Sequence, residues 1–126
     1  MGCLFHAKYE LRIYTLYPGR MDAIQTRFKD HTLTIFERLG MKVVNFWIDG
    51  AGQSKLYYVM EFSDLAERQR LWDQFRQDPE WIQVKRNSEK NGGPIVEKIE
   101  EFIMKDARVQ DLWKRWGCCA PLSGTA

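Results

Sequence analysis

The chain has 126 residues, 44% of them hydrophobic and 13% aromatic, which is enough for the core of one domain and too little for two. Its 19 basic and 17 acidic side chains leave a formal charge of +2 and are interspersed, against the clustered basic face that a nucleic-acid surface needs. No apolar run approaches the roughly 18 residues of a membrane span, and the N-terminus lacks the apolar core of a signal peptide, so a soluble, intracellular, cytoplasmic protein is expected. Cys3, Cys118 and Cys119 read as free thiols in a reducing compartment. No metal site is expected, because no spaced second Cys or His pair completes one.

In chain order, Tyr9-Glu10-Leu11-Arg12-Ile13-Tyr14 alternates with period two and predicts a strand with two distinct faces. Pro18-Gly19 turns the chain, and Met21, Ile24, Phe28, Thr32, Ile35 and Leu39 then recur at steps of three and four, which places them on one face of a long helix. Gly40 is the expected stop. The β-branched and aromatic run Val43 to Ile48 predicts a second strand, and Asp49-Gly50-Ala51-Gly52 a hairpin. Lys55 to Phe62, apolar on both faces apart from Glu61, predicts the returning strand inside a sheet. Asp64 with Glu67 resembles a capping box for a helix to about Gln77, with Leu65, Leu71, Trp72 and Phe75 on one face. Asp78-Pro79 restarts a helix carrying Trp81, Val84 and Lys85 on one side. After Asn91-Gly92-Gly93-Pro94, residues Ile95 to Met104 predict a fourth strand, with Ile95, Ile99 and Ile103 on one face and Phe102 and Met104 on the other.

The order strand, helix, strand, strand, helix, strand is the ferredoxin-like βαββαβ pattern, an α+β fold with both helices on one face of a four-stranded antiparallel sheet. The opposite face also carries large apolar groups, and a second copy of the chain is the economical cover, so a homodimer is expected. The domain is placed at residues 1–105 and a tail at 106–126. Within that tail, Val109, Leu112, Trp113 and Trp116 have the spacing of a short helix, and a mobile end is expected to follow.

Several side chains stand out as candidates for chemistry. His31 falls near the edge of the apolar arc of the first helix and is expected to point between helix and sheet, as a core-edge histidine or as a general acid-base. Arg68 lies within the apolar face of the second helix, so its guanidinium needs a carboxylate such as Glu10 or Glu61, or an anionic ligand. Tyr14, Tyr57 and Tyr58 read as packing residues or as phenols that donate a proton to a carbonyl oxygen. Arg12 is a further candidate for holding negative charge, and Trp47 reads as core or as a wall of a ligand site. No Ser-His-Asp order, phosphate loop or zinc spacing is present.

The runs Y-E-L-R-I-Y at Tyr9 to Tyr14, L-Y-P-G at Leu16 to Gly19, N-F-W-I at Asn45 to Ile48, S-D-L-A-E-R at Ser63 to Arg68 and D-P-E-W at Asp78 to Trp81 together resemble the NIPSNAP family. The resemblance covers Tyr9 to about Met104. It departs from the family pattern at Asn45, where Gly is common, and at Met60 and Phe62, where Trp-x-Tyr is common. The resemblance implies a dimeric α+β barrel. Its wider superfamily holds cofactor-free monooxygenases, polyketide cyclases, lactone isomerases and haem-degrading enzymes. Two readings of function follow. One is a cofactor-independent isomerase or cyclase acting on an apolar oxygenated metabolite, with His31 moving a proton, a tyrosine polarising a carbonyl and Arg12 or Arg68 holding negative charge. The other is a non-catalytic dimeric binding or interaction module. Haem binding is the weakest of the alternatives.

Overall fold

The computed structural model describes residues 7–107. The helix expected at Val109 to Trp116 and all three cysteines lie outside the described residues. Strand β1 spans Lys8–Leu16, β2 Lys42–Ile48, β3 Lys55–Phe62 and β4 Val96–Lys105. They form one antiparallel sheet in the order β2-β3-β1-β4, so β3 and β1 are its interior strands. That order, with the helices between β1 and β2 and between β3 and β4, makes the protein an α+β fold of the ferredoxin-like type. No helix among the described residues is long and apolar enough to cross a membrane.

The first helical segment is one run in three parts: α1 (Met21–Arg27), a π-helical turn (Phe28–Thr32) and α2 (Leu33–Leu39). In the π turn the Leu33 N–H bonds the Phe28 carbonyl, five residues back rather than four. The apolar stripe seen in the sequence is kept, with Ile24, Phe28, Thr32 and Ile35 buried. Gly40, at φ 82°, ends α2 in the left-handed conformation that glycine takes without a Cβ clash.

Helix α3 spans Leu65–Gln77 and α4 Pro79–Ser88. Asp64 Oδ1 accepts from the Glu67 N–H at 2.8 Å, while Glu67 Oε1 reaches back to the Ser63 N–H at 2.6 Å, one residue earlier than a standard capping box. Asp78 ends α3 and begins α4: its carboxylate accepts from the Trp81 N–H at 3.0 Å, and Pro79 occupies the first position of α4. Arg38 Nη2 donates to the same Asp78 carboxylate at 2.8 Å and so ties α2 to the α3–α4 junction. Leu71, Trp72 and Phe75 are buried as expected, whereas Leu65 is exposed because it is the first residue of α3 and lies beyond the sheet contact.

The two faces of β1 are assigned opposite to their polarity. Glu10, Arg12, Tyr14 and Leu16 are buried beneath the helices, beside Tyr58, Met60 and Phe62 of β3. The more apolar set Tyr9, Leu11 and Ile13 faces the other way and is only half-buried. On that outer face the register sets Leu11 opposite Phe102, Tyr9 opposite Met104 and Tyr57 opposite Trp47, and directly paired residues share a face. Ile99 and Ile103 share one face, opposite to Phe102 and Met104, as the spacing predicts; they pair with Tyr14 and Glu10 on the helix side, where both stay exposed on the edge strand.

The cap at Asp64 positions the helix that delivers Arg68 and Trp72 to the interior. Asp64→Ala is expected to lower stability by about 1 kcal/mol and Asp64→Asn by much less. Equilibrium urea unfolding measures both. An unchanged midpoint in the alanine variant would show that the cap contributes nothing.

Candidate active site

The polar face of β1 enters an interior whose other walls are aromatic, and every charge on it is met. Glu10 is fully buried. Its Oε1 accepts from Trp72 Nε1 at 2.7 Å and Arg68 Nε at 2.9 Å, and its Oε2 from Arg12 Nη1 at 2.9 Å and Arg68 Nη2 at 3.1 Å. Glu101, on β4, adds contacts of 3.2 Å to Arg12 and 3.1 Å to Arg68. Burial by itself would raise the Glu10 carboxyl, but the hydrogen bonds from Arg68 and Trp72 and the Arg12 charge outweigh it and hold the group below the usual carboxylate range. Arg12 lies 4.2 Å above the Trp72 ring centroid. Burial opposes its charge, but Tyr58, Tyr14 and Glu10 together hold its guanidinium above the ordinary value.

From Arg12 a chain of hydrogen bonds runs along the sheet. Arg12 Nε donates to Tyr58 Oη at 2.9 Å, and Tyr58 and Tyr14 share a hydrogen bond of 2.8 Å between their hydroxyls. Burial, then the neighbouring Tyr14, push the Tyr58 phenol well above its usual value, although Arg12 pulls it back. Tyr58 is therefore a neutral phenol at physiological pH. Arg12 occupies one lone pair of Tyr58, and in the arrangement in which Tyr58 donates to Tyr14 the Tyr14 hydroxyl proton is left for a third group.

Tyr14 lines a cavity of about 340 Å³ between the sheet and α4. Val96 and Ile99 of β4 form an apolar floor, Trp81 forms a wall, and Arg27, Lys85 and Glu89 bring charge. Arg27 is 5% exposed. Its Nη1 donates to Ser88 Oγ at 3.1 Å, the Glu89 carboxylate is 3.7 Å away, and its guanidinium lies 5.1 Å from the Trp81 ring centroid. Burial lowers the Arg27 guanidinium from its ordinary value, with Tyr14 and Glu89 opposing that shift.

The structure brings together some of the residues singled out in the sequence and separates others. Tyr14, Tyr58, Arg12 and Arg68 belong to one connected network. Arg68 has Glu10 as its partner, not Glu61. Tyr57 is on the outer face of the sheet, where its hydroxyl donates to Asp49 Oδ1 at 3.0 Å, so it cannot act with Tyr14. Trp47 is 49% exposed rather than core, because β2 is an edge strand; it lines an open apolar groove of about 370 Å³ with Phe28, Leu33 and Phe46. His31 does not point between helix and sheet. It is exposed on the π turn, where fewer degrees of rotation per residue carry it farther round from Phe28 than α-helical spacing predicts. It faces an outer groove of about 500 Å³ with Asp22, Thr26 and Asn87, on the far side of Arg27, which lines both this groove and the cavity that holds Tyr14.

Sequence reasoning passed over Arg27 and the role of Trp72 as a donor. The signal for Arg27 was present: it is three residues from Ile24 and adjacent to Phe28, so it falls within the apolar stripe just as Arg68 does in α3. Nothing in the sequence marked the Trp72 indole as a hydrogen-bond donor to a carboxylate 62 residues away. Among the described residues no three His, Cys, Asp or Glu side chains are grouped so as to hold a metal ion.

The sheet order, the helices on one face and a half-open cavity reached by a strand phenol define a ferredoxin-like α+β protein with a pocket between helix and sheet. Within that class the chain belongs to the NIPSNAP family, whose model matches residues 9–109. Among solved structures, a NIPSNAP-like domain protein from Burkholderia xenovorans has a TM-score of 0.72 at 19% identity, over 93% of this chain and 91% of that one. A NIPSNAP family protein of unknown function from Agrobacterium tumefaciens has a TM-score of 0.70 at 26% identity, over 82% of this chain and 91% of that one. A more distant structure from Bacteroides thetaiotaomicron, named for antibiotic biosynthesis monooxygenases, has a TM-score of 0.56 at 13% identity, over 82% and 90% of the two chains, and shares the fold. A search of curated proteins gave no match.

Removing Glu10 leaves two guanidinium groups facing each other with Glu101 alone, so Glu10→Ala is expected to cost about 3–5 kcal/mol. Arg68→Ala leaves Glu10 its bonds to Arg12 and Trp72, and Arg68 is partly exposed, so about 1–2 kcal/mol is expected there and little for Arg70→Ala. The pH dependence follows from the sign of the Glu10 shift. A folded value below the unfolded one of about 4.3 stabilises the fold fully above that pH, and the contribution is lost as pH falls through the folded value. Denaturant titrations across the acid range are expected to show this loss in the wild type and its absence in Glu10→Gln.

Proposed function

We propose that the chain is a small acid-base enzyme acting on a carbonyl-bearing, largely apolar metabolite, in an isomerase or cyclase type of reaction, with Tyr14 as the proton donor. The observation that carries this reading is the chain from Arg12 through Tyr58 to Tyr14, which ends at the cavity wall. A phenol backed by a second phenol and a fixed cation is suited to a carbonyl oxygen whose negative charge grows as the adjacent carbon loses a proton. Arg12 acts through Tyr58 and is a positioning residue rather than a group that touches the substrate.

The chemistry balances with the side chains at the cavity. Glu89 and Glu97 both line it, and either carboxylate can take a proton from the carbon next to the carbonyl. The C–H electron pair becomes the C=C bond of an enol as the carbonyl oxygen takes the Tyr14 proton. When the carboxyl group returns its proton to a different carbon and the enol O–H returns its own to Tyr14, the product is an isomer. When the enol carbon attacks a second carbonyl, the enol O–H again returns its proton to Tyr14, the new alkoxide takes the proton from the carboxyl group, and the product is a ring. His31 has no part in this sequence, since it faces another groove.

The same reading takes a second copy of the chain as the cover of the outer sheet face. Phe102 and Met104 are exposed there, and Tyr9, Leu11, Ile13 and Val59 are half-buried, an apolar area larger than single exposed residues account for. Sedimentation at micromolar concentration is expected to give a dimer, and Phe102→Glu to shift it toward monomer. A wild-type monomer under the same conditions would remove the dimer from the reading.

The catalytic role is tested with 3-cyclohexen-1-one, whose conversion to the conjugated ketone is followed by ultraviolet absorbance. Tyr14→Phe is expected to lower the rate by on the order of 10²-fold while nearly keeping the melting temperature, and Tyr58→Phe to lower it less. Equal rates in wild type and Tyr14→Phe, or no wild-type rate above buffer, would overturn the assignment.

A further inference from the structure

The proton donor and the carboxylate base leave Arg27 and Lys85, which line the same cavity, without a task. Arg27 is a guanidinium with five N–H donors, held almost entirely out of water, and among the described residues its one hydrogen-bond acceptor is Ser88 Oγ. Its nearest carboxylate, Glu89, is 3.7 Å away, beyond good hydrogen-bond distance, and Glu89 is shared with Lys85 at 3.4 Å. Charge at the cavity is likewise unbalanced. Arg27, Lys85 and Lys98 line it against Glu89 and Glu97, three cations to two carboxylates. A buried cation with unpaired donors beside an open space calls for an anion in that space. The mounting is rigid as well: the guanidinium lies over the Trp81 ring, which is itself stacked on Phe75 at a centroid distance of 4.6 Å.

We infer that Arg27, assisted by Lys85, is the anchor for a carboxylate on the ligand of this cavity, so that the natural substrate is a keto acid with an apolar body rather than a neutral ketone. The inference rests on the cavity assigned above as the substrate site. Carboxylate and carbonyl contacts then come from different elements. Arg27, at the end of α1, holds the acid group, Val96 and Ile99 accept the apolar body, and Tyr14 meets the carbonyl oxygen. A cavity of about 340 Å³ is at the small end for ligand sites and limits the ligand to roughly the size of an aromatic keto acid.

The test compares 4-oxo-4-phenylbutanoate with its methyl ester, which keeps the ketone and the ring and removes the charge. Binding is read from the Trp81 indole N–H resonance of the full chain. The wild type is expected to bind the acid about 10-fold or more tightly than the ester, with the preference shrinking as salt is raised. Arg27→Met is expected to abolish the preference by weakening the acid alone, and Arg27→Lys to keep part of it. Should Arg27→Met fail to fold, Lys85→Met, at an exposed position, is expected to reduce the preference on its own. Equal wild-type affinity for acid and ester, absence of any shift with the acid at millimolar concentration, or a preference undiminished in the Arg27 and Lys85 variants would overturn the anchor. Tyr14→Phe separates this from the catalytic reading. If it leaves catalysis untouched while Arg27→Met or Lys85→Met still removes the preference, the enzyme assignment fails and the carboxylate site stands.

Discussion

A fully buried carboxylate, Glu10, is the constraint on which the interior depends. An ion in that position is tolerated only when its lone pairs are met, and here four N–H donors from Arg12, Arg68 and Trp72 meet them within 3.1 Å. Those donors come from β1 and α3, elements 58 to 62 residues apart in sequence. The carboxylate thus fixes where α3 lies over the sheet more sharply than apolar packing does, because hydrogen bonds have direction and dispersion does not.

The consequence reaches the cavity through β1 itself. Residues of one strand face alternate with period two, so the choice that buries Glu10 also buries Arg12 and Tyr14. Arg12 is then locked between Glu10 and Trp72 and presents its Nε to Tyr58, which in turn positions the Tyr14 hydroxyl. Structural charge at one end of the strand becomes a polarised phenol at the other. The aromatic cluster around this chain, in which Phe28 and Phe46 approach the Tyr58 ring to 5.2 and 5.0 Å, keeps water from competing for those bonds.

The first helical segment contributes by its irregularity. The π turn at Phe28–Thr32 lies between two α-helical stretches and changes the rotation per residue without ending the helix. The residues at its two ends, Phe28 and Thr32, are still buried. What changes is the direction of residues between them, and His31 is one of these. Arg27, the last residue before the turn, instead remains on the inward face, where α4 closes over it through Trp81 and Ser88.

Periodicity in the sequence by itself determined the elements and their order, and with them the ferredoxin-like class, because patterns of 2 and 3.6 are local and survive in any single chain. It also marked Arg68 as a charge inside an apolar face that requires a partner. The tertiary structure alone decided which face of β1 turns inward. Its apolar alternation Tyr9, Leu11, Ile13 favours one answer, and the fold takes the other, in which the buried Glu10 is met by Arg12 of its own strand and by Arg68 and Trp72 from α3. It likewise decided that Trp47 is on an exposed edge and that Tyr57 is on the wrong face to join Tyr14, since strand order and register are set by pairing between distant segments. The outward turn of His31 belongs here too: a single extra residue in a hydrogen-bonded ring alters the helical phase, and spacing read at a constant 100° per residue carries no trace of it.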